Sequence, residues 1–264
     1  MQKINYQKTK SFWQNEAKKA EIRDCDEYKS GMLIDNDFIA RYRKIEEEKV
    51  FESIVNVKKD DIILELGCGS GRWTFFLSDK CKSIVAVDFS EDMIKIAELI
   101  QEKKNVKNIK FICAEAENYC DYRKYDIIYL SSFIQYLNDE DIKKLIGHLA
   151  KMSGKRTLLI SRDTISLTGG RIIKDKDYHV IYRTADEYKN MFAKYGFKTV
   201  RKQESYVAPF LSCRFGLEKK IPFKLLYFLE SFAFKKISRL KFFFDDVFRR
   251  RETGHFFFVY EKTN

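Results

Sequence analysis

The chain has 264 residues, 45% hydrophobic and 15% aromatic, with 50 Lys/Arg against 39 Asp/Glu and a formal net charge of +11. That length and apolar fraction give one α/β domain with appended segments, and two prolines without a Ser/Gly-rich stretch or a repeat exclude a linker-rich or solenoid chain. Six cysteines without a CxxC pair and three scattered histidines exclude a disulfide framework and a clustered metal site, and MQKINYQKTK lacks the apolar run of a signal peptide, so a cytoplasmic protein without a metal is expected.

Residues 1–57 read as a helical cap, with Phe38, Ile39, Tyr42, Ile45, Phe51 and Ile54 on one helical face. Trp13, Tyr28, Tyr42 and Arg43 belong to it, and packing of the cap on the core is the expected role of Trp13 and Tyr42. A core over 58–206 follows, opening with ILELGCGSG at Ile63–Gly71, an apolar strand that runs into a turn with glycine at 67, 69 and 71. Glycine has no Cβ and tolerates positive φ, so this turn lets a ligand approach the backbone at the carboxyl edge of a parallel sheet. A dinucleotide fingerprint would need glycine where Arg72 stands, and no Gly-Lys-Ser/Thr closes a phosphate loop. Glu65, two residues before the first glycine, would repel a pyrophosphate and attract a cationic amine.

Strands are expected near 61–66, 83–88, 109–113, 125–130 and 156–161, separated by helices such as Glu91 to Lys103 and Asp139 to Met152, which makes five βα units. SIVAVDFS ends on Asp88, nineteen positions after Gly69, where a doubly wound fold places the carboxylate that bonds ribose hydroxyls. IKFICAEAE carries Glu115 at its strand end, where it could accept from an adenine amino group, and Phe89 and Met93 offer apolar surface to the ring. YDIIYLSSFIQYL puts Ser131, Ser132, Gln135 and Tyr136 at the end of the fourth strand.

In order and spacing, ILELGCGSG, VAVDFS, FICAEAEN and YDIIYLSSFIQYL resemble the class I S-adenosylmethionine (SAM)-dependent methyltransferases. The resemblance covers roughly residues 45–205 and returns at HFFFVYEK, which looks like the family's final strand. It implies an α/β, doubly wound, seven-stranded and mostly parallel sheet with the last strand antiparallel, a helical N-terminal cap, and a helical insertion over 207–253 before a final strand at 254–264. It implies SAM as cofactor and S-adenosylhomocysteine as product. Glu65 and the turn of Gly67, Cys68, Gly69 and Gly71, with Arg72 after it, would hold the methionine part. Asp88 would hold the ribose, Glu115 and Ala116 the adenine beside Phe89 and Met93, and Ser131 would face the donor. Cys68 is expected to be an inert filler.

Methyl transfer needs an acceptor lone pair in line with the S–CH₃ bond, and a base only where the acceptor is protonated. Asp163, just past the fifth strand, is the first candidate for a base, and Arg162 the candidate partner of an acidic acceptor; the plain alternative is an exposed ion pair between the two. His179 is the second candidate base, although a lone histidine in an apolar run also reads as a core residue. Tyr136 reads as packing more than chemistry, Gln135 cannot act as a base, and His148 reads as structural. Arg162 to Asp177, with Gly169-Gly170, is expected to be a mobile active-site loop, and TADEYKNMFAKYGF a helix capped at Thr184 and ended at Gly196.

Leu211 to Arg251 carries eleven Lys/Arg against four Asp/Glu, so most of the excess charge is local. Leu225, Leu226, Leu229, Phe232, Ala233 and Ile237 fall at helical spacing beside Lys235, Lys236, Arg239 and Lys241, a basic amphipathic helix too charged to span a membrane and expected to pack on the core as a lid. The expected function is SAM-dependent methylation of an O or N atom of a small anionic acceptor: a phosphorylated or nucleotide-linked sugar, or a surface-polysaccharide precursor. A nucleic-acid acceptor is disfavoured, since no RNA-binding module is present. The alternatives are a lipid or quinone methyltransferase at a membrane surface, and a non-catalytic SAM-binding protein whose basic helix docks a partner.

Overall fold

Apolar runs of five to seven residues alternate with helical stripes, and the computed structural model, which describes residues 3–22, 37–206, 208–209, 216–234, 240 and 251–263, folds them as a doubly wound sheet. The parallel strands are β1 (Ile62–Leu66), β2 (Ser83–Asp88), β3 (Ile109–Cys113), β4 (Tyr125–Ser131) and β5 (Ser153–Ser166). After them come β6 (Ile172–Asp175), β7 (His179–Tyr182), β8 (Phe197–Glu204) and β9 (Thr253–Lys262). The main sheet has the order β3-β2-β1-β4-β5-β9-β8, with β9 antiparallel to both of its neighbours. Strand order reverses between β1 and β4, and a doubly wound fold opens its ligand crevice at the carboxyl ends of such a pair.

Period-two alternation divides each strand between two cores. Leu64 and Leu66 face one cluster with Leu145, Leu149 and Phe192, while Ile63 faces the other with Phe51, Trp73 and Ile96. The first cluster is covered by α5 (Asp139–Met152), whose Ile142, Leu145, Ile146, Leu149 and Met152 form one buried stripe, and by α6 (Ala185–Ala193). The second is covered by α3 (Arg72–Ser78), α4 (Glu91–Lys104) and the end of α2 (Asp37–Ile54). α4 starts where the Ser90 hydroxyl accepts from the Met93 N–H at 3.3 Å, with Glu91 and Asp92 in its first turn and Lys103 and Lys104 in its last.

The N-terminal helix α1 (Tyr6–Ile22) is tied down by polar contacts. The Tyr6 hydroxyl donates to Asp141 and accepts from the Asn138 N–H at 2.9 Å, and the Asn5 N–H donates to His179 Nδ1 at 3.0 Å.

Two expectations need correction. The segment 162–177 is not a loop: β5 continues to Ser166, and β6 pairs with β7 as a separate antiparallel hairpin. Ile173 pairs with Ile181 and Ile172 with Tyr182 across it, and the Gly169-Gly170 pair only turns the chain, at φ +82° for Gly169. The insertion helix α7 (Phe223–Phe228) is apolar on two faces and buries one of them. Leu226, with Phe223 and Tyr227, packs against Phe38 and Tyr42 of α2, whereas Leu225, Phe228 and Phe232, at helical spacing on another side, are exposed, and the winding turns π-helical at Leu229–Phe234. Tyr28, Ile237, Lys235, Lys236, Arg239, Lys241 and the side chain of Ala233 lie outside the described residues.

Candidate active site

A cavity of about 710 Å³ opens at the carboxyl ends of β1, β2, β4 and β5 and is walled above by α1 and α2. Its cofactor-like end is the glycine turn. At Gly67, φ is +74° and a Cβ would meet the Phe133 ring at 2.7 Å; at Gly69, φ is +54° and a Cβ would meet nothing within 4 Å, so the backbone there faces open space. The Gly67 and Cys68 N–H groups donate to the Val87 carbonyl at 2.8 and 3.1 Å, which fixes the turn against β2. Burial raises the Cys68 thiol well above its ordinary value, so it stays protonated and unreactive.

Asp88 is buried at the end of β2, where its Oδ2 accepts from the Gly69 N–H at 2.8 Å and its Oδ1 from the Ser90 N–H at 2.9 Å. Each oxygen keeps a lone pair for a diol. Met93 and Phe89 line the cavity beside it, with Ala116 and Ser131 on the same wall. Glu115 is also on this wall, half exposed, paired with Lys10 of α1 and accepting from Asn118 Nδ2 at 2.5 Å.

Glu65 is fully buried under the turn and is not on the cavity wall. Its Oε2 accepts from the Thr74 hydroxyl at 2.6 Å and its Oε1 has no partner. Burial pushes its carboxyl up to about 8 against the hydroxyls of Thr74 and Ser131. A turn open above Gly69 and a half-satisfied Asp88 fit the ribose of SAM, and behind the turn the buried Glu65 keeps one oxygen unbonded. Among the described residues no His/Cys/Asp/Glu group of metal-binding size occurs.

The other end of the cavity is built around Glu47 of α2, which is fully buried. Its Oε1 accepts from Arg162 Nη2 at 2.5 Å, from Arg43 Nε at 3.1 Å and from the Ser205 hydroxyl at 3.2 Å; its Oε2 accepts from Arg72 Nη1 at 2.7 Å. Burial alone would raise the Glu47 carboxyl, but Arg162, Arg43 and Arg72 outweigh it and hold it well below the carboxylate range. All three arginines line the cavity, and Arg72 Nε and Nη2 are buried without a partner. Arg162 Nη1 also donates to the Ser132 hydroxyl at 2.8 Å, and Ser132 is held at φ +65°.

Neither candidate base stands in this cavity. Adjacent strand residues face opposite ways, so Arg162 turns to the cavity and Asp163 to the far core beside Tyr188 and Tyr260. There it is fully buried with neither oxygen bonded, pushed up to about 7 by burial. An exposed Arg162–Asp163 pair is excluded for the same reason. His179 is buried on β7, with Nδ1 accepting from Asn5 and its carbonyl from the Thr9 hydroxyl at 3.2 Å, a structural clasp for α1. Tyr136 does line the cavity, edge-on to Trp13 and Tyr178, and burial raises its phenol beyond use as a base. The sequence reading missed Glu47, Thr164, Tyr206 and His255, which line or underpin the same cavity.

A family model described as a methyltransferase domain matches residues 63–154. The chain is 31% identical over 132 residues to the probable cobalt-precorrin-6B C(15)-methyltransferase (decarboxylating) of Methanococcus vannielii, covering 47% of this chain and 69% of that one. Its seven-stranded sheet is that of solved methyltransferases. The chain belongs to the class I SAM-dependent methyltransferases, whose cofactor is SAM. Phosphoethanolamine N-methyltransferase 1 of Triticum aestivum is 31% identical over 147 residues, 54% of this chain, which spans only 27% of that relative's length. A Haemonchus contortus phosphoethanolamine N-methyltransferase 1, solved with phosphoethanolamine and S-adenosylhomocysteine, superposes with TM-score 0.62 at 15% identity, over 97% of this chain and 48% of that chain.

Asp88→Ala removes charge-assisted bonds of about 1.5–3 kcal/mol and is expected to weaken SAM binding roughly ten- to a hundredfold in calorimetry; unchanged affinity would contradict the ribose assignment. Glu65 gives a pH signature. Its folded value of about 8 lies above the ordinary 4.5, so its contribution to stability is full below pH 4.5 and is lost as pH rises through about 8. Glu65→Gln in the ligand-free protein should therefore flatten the fall in melting temperature across that window, and scanning calorimetry with an unaltered slope would show that Glu65 is not held protonated.

Proposed function

We propose that this methyltransferase moves a methyl group from SAM to an O or N atom of a small anionic acceptor, bound at the arginine end of the cavity. The observation that carries this reading is the charge around Glu47: three buried guanidinium groups on the wall share one carboxylate, and Arg72 keeps two buried donors unbonded. A buried excess of positive charge is costly until an anion offsets it, and bidentate guanidinium groups suit a phosphate or carboxylate. Phosphoethanolamine, for which two of the similar proteins are named, is an amine that bears a phosphate. Phosphorylated or nucleotide-linked sugars, including precursors of surface polysaccharides, present the same group.

SAM, when bound, supplies an activated methyl group. The chain's own part is to hold the two partners in line and keep water out. Asp88 and the Gly67–Gly69 turn would hold the donor, and Glu65, behind the turn, would offset the amine's charge once it ionised. Arg43 and Arg162 would fix the anionic end of the acceptor, and Trp13, Tyr136 and Tyr178, edge to face in the lining, would form the apolar wall between.

A mass-spectrometric screen of phosphosugars, nucleotide sugars, phosphorylated amines and their uncharged counterparts should yield a product one CH₂ heavier only from the charged members. Arg162→Gln should then raise KM for the acceptor roughly ten- to a hundredfold and leave SAM affinity intact. Equal turnover of the uncharged counterparts would overturn the anionic reading.

A further inference from the structure

His255 lies on β9 directly opposite Thr164 of β5, and both line the arginine end of the cavity. Thr164 Oγ1 stands 2.8 Å from His255 Nδ1, while the Thr164 N–H donates to Gln135 Oε1 at 3.4 Å, so the threonine is held from two sides. The imidazole stacks on Tyr206 with ring centroids 5.7 Å apart, and the Arg43 guanidinium also lies over the Tyr206 ring, 5.3 Å from its centroid. Among the described residues no hydrogen bond engages Nε2. The ring is partly exposed, and the cavity is the space it borders.

Given the anionic-acceptor reading above, on which this rests, we propose that His255 is the base that takes the acceptor's proton, and that the acceptor's own anionic group switches it on by neutralising Arg43 and Arg162. As the acceptor oxygen or nitrogen bonds to the methyl carbon, the S–CH₃ bond breaks with its pair left on sulfur, and the acceptor's proton passes to His255 Nε2. Thr164 Oγ1 accepts from Nδ1–H before and after, so the ring need not turn.

The coupling follows from the charges around the ring. Burial, and after it the Arg162 and Arg43 charges, hold the imidazole well below its ordinary value; Glu47 pulls the other way, and Arg251, paired with Glu204 at 2.8 Å, adds a further positive charge. The site alone therefore keeps His255 neutral but a poor proton acceptor. An anion against the two arginines offsets their charge while burial still holds the ring down, so basicity rises only when an acceptor of the right charge is present.

With three histidines in the chain, nuclear magnetic resonance of the full-length protein with ¹⁵N-labelled histidine can follow each ring, and His255→Gln assigns the signal. Without anion the His255 ring should be the Nδ1–H tautomer and titrate below the usual histidine range. Saturating inorganic phosphate should raise that midpoint by about one unit or more. Thr164→Val keeps the charges and removes the tautomer lock, so it should mix the tautomers and preserve the phosphate response. With an acceptor from the screen, His255→Gln should lower kcat by ~10²–10⁴-fold and leave SAM affinity unchanged. Phosphate that binds by calorimetry without moving the His255 midpoint, or an Nε2–H tautomer in the free protein, overturns the proposal and leaves the anionic acceptor standing. Phosphate that does not bind at all overturns both.

Discussion

The buried carboxylate of Glu47 is the point on which the cavity depends. It joins α2, where Arg43 stands one turn before it, to the first turn of α3 through Arg72, the carboxyl end of β5 through Arg162, and the segment after β8 through Ser205. Removing one partner from a buried ion pair typically costs about 3–5 kcal/mol, because the remaining charges are stranded away from water. Here the loss of Glu47 would strand three. The helix that carries it is thereby fixed over the sheet, and the cavity acquires a roof whose charge is set by what that one carboxylate leaves unbalanced.

Two glutamates in the site are in opposite states for reasons of environment alone. Glu47 meets three guanidinium groups and stays ionised, while Glu65, with a hydroxyl on one oxygen and nothing on the other, is pushed up to about 8. On the proposed reading, the first arrangement would suit the acceptor end to an anion, and the second would suit the cofactor end to a cation. A sulfonium donor with a free amine and an acceptor with an anionic group would complete both, which is the complementarity the proposed function requires.

Much of the fold was legible from local pattern. Strands β1 to β4 and helices α4 and α5 declared themselves through pattern and length, and the Gly67–Gly71 turn and Asp88 stand where their spacing put them. The acceptor end was not legible, because its residues resemble surface. Glu47 sits in the run Glu46-Glu47-Glu48, which reads as a solvated face; Glu46 bonds Tyr227 and Glu48 pairs with Lys44, whereas Glu47 turns inward to Arg43 one turn back and to partners 25, 115 and 158 positions away. Arg162 and Asp163 were read together because they are neighbours in sequence, yet strand alternation separates them onto opposite faces, so a residue's side of the sheet outweighs its distance along the chain. His255 was hidden in the apolar run of the last strand, and only the pairing of β9 with β5 brings it to Thr164.

The complementarity of the two ends is tested most directly by a crystal structure of the protein with S-adenosylhomocysteine and inorganic phosphate. The nucleoside diol is expected on Asp88 with the amine toward Glu65, and phosphate in contact with Arg43 or Arg162 on the side of the cavity lined by His255. Phosphate absent from the arginines while S-adenosylhomocysteine is bound, or the diol away from Asp88, would contradict the account.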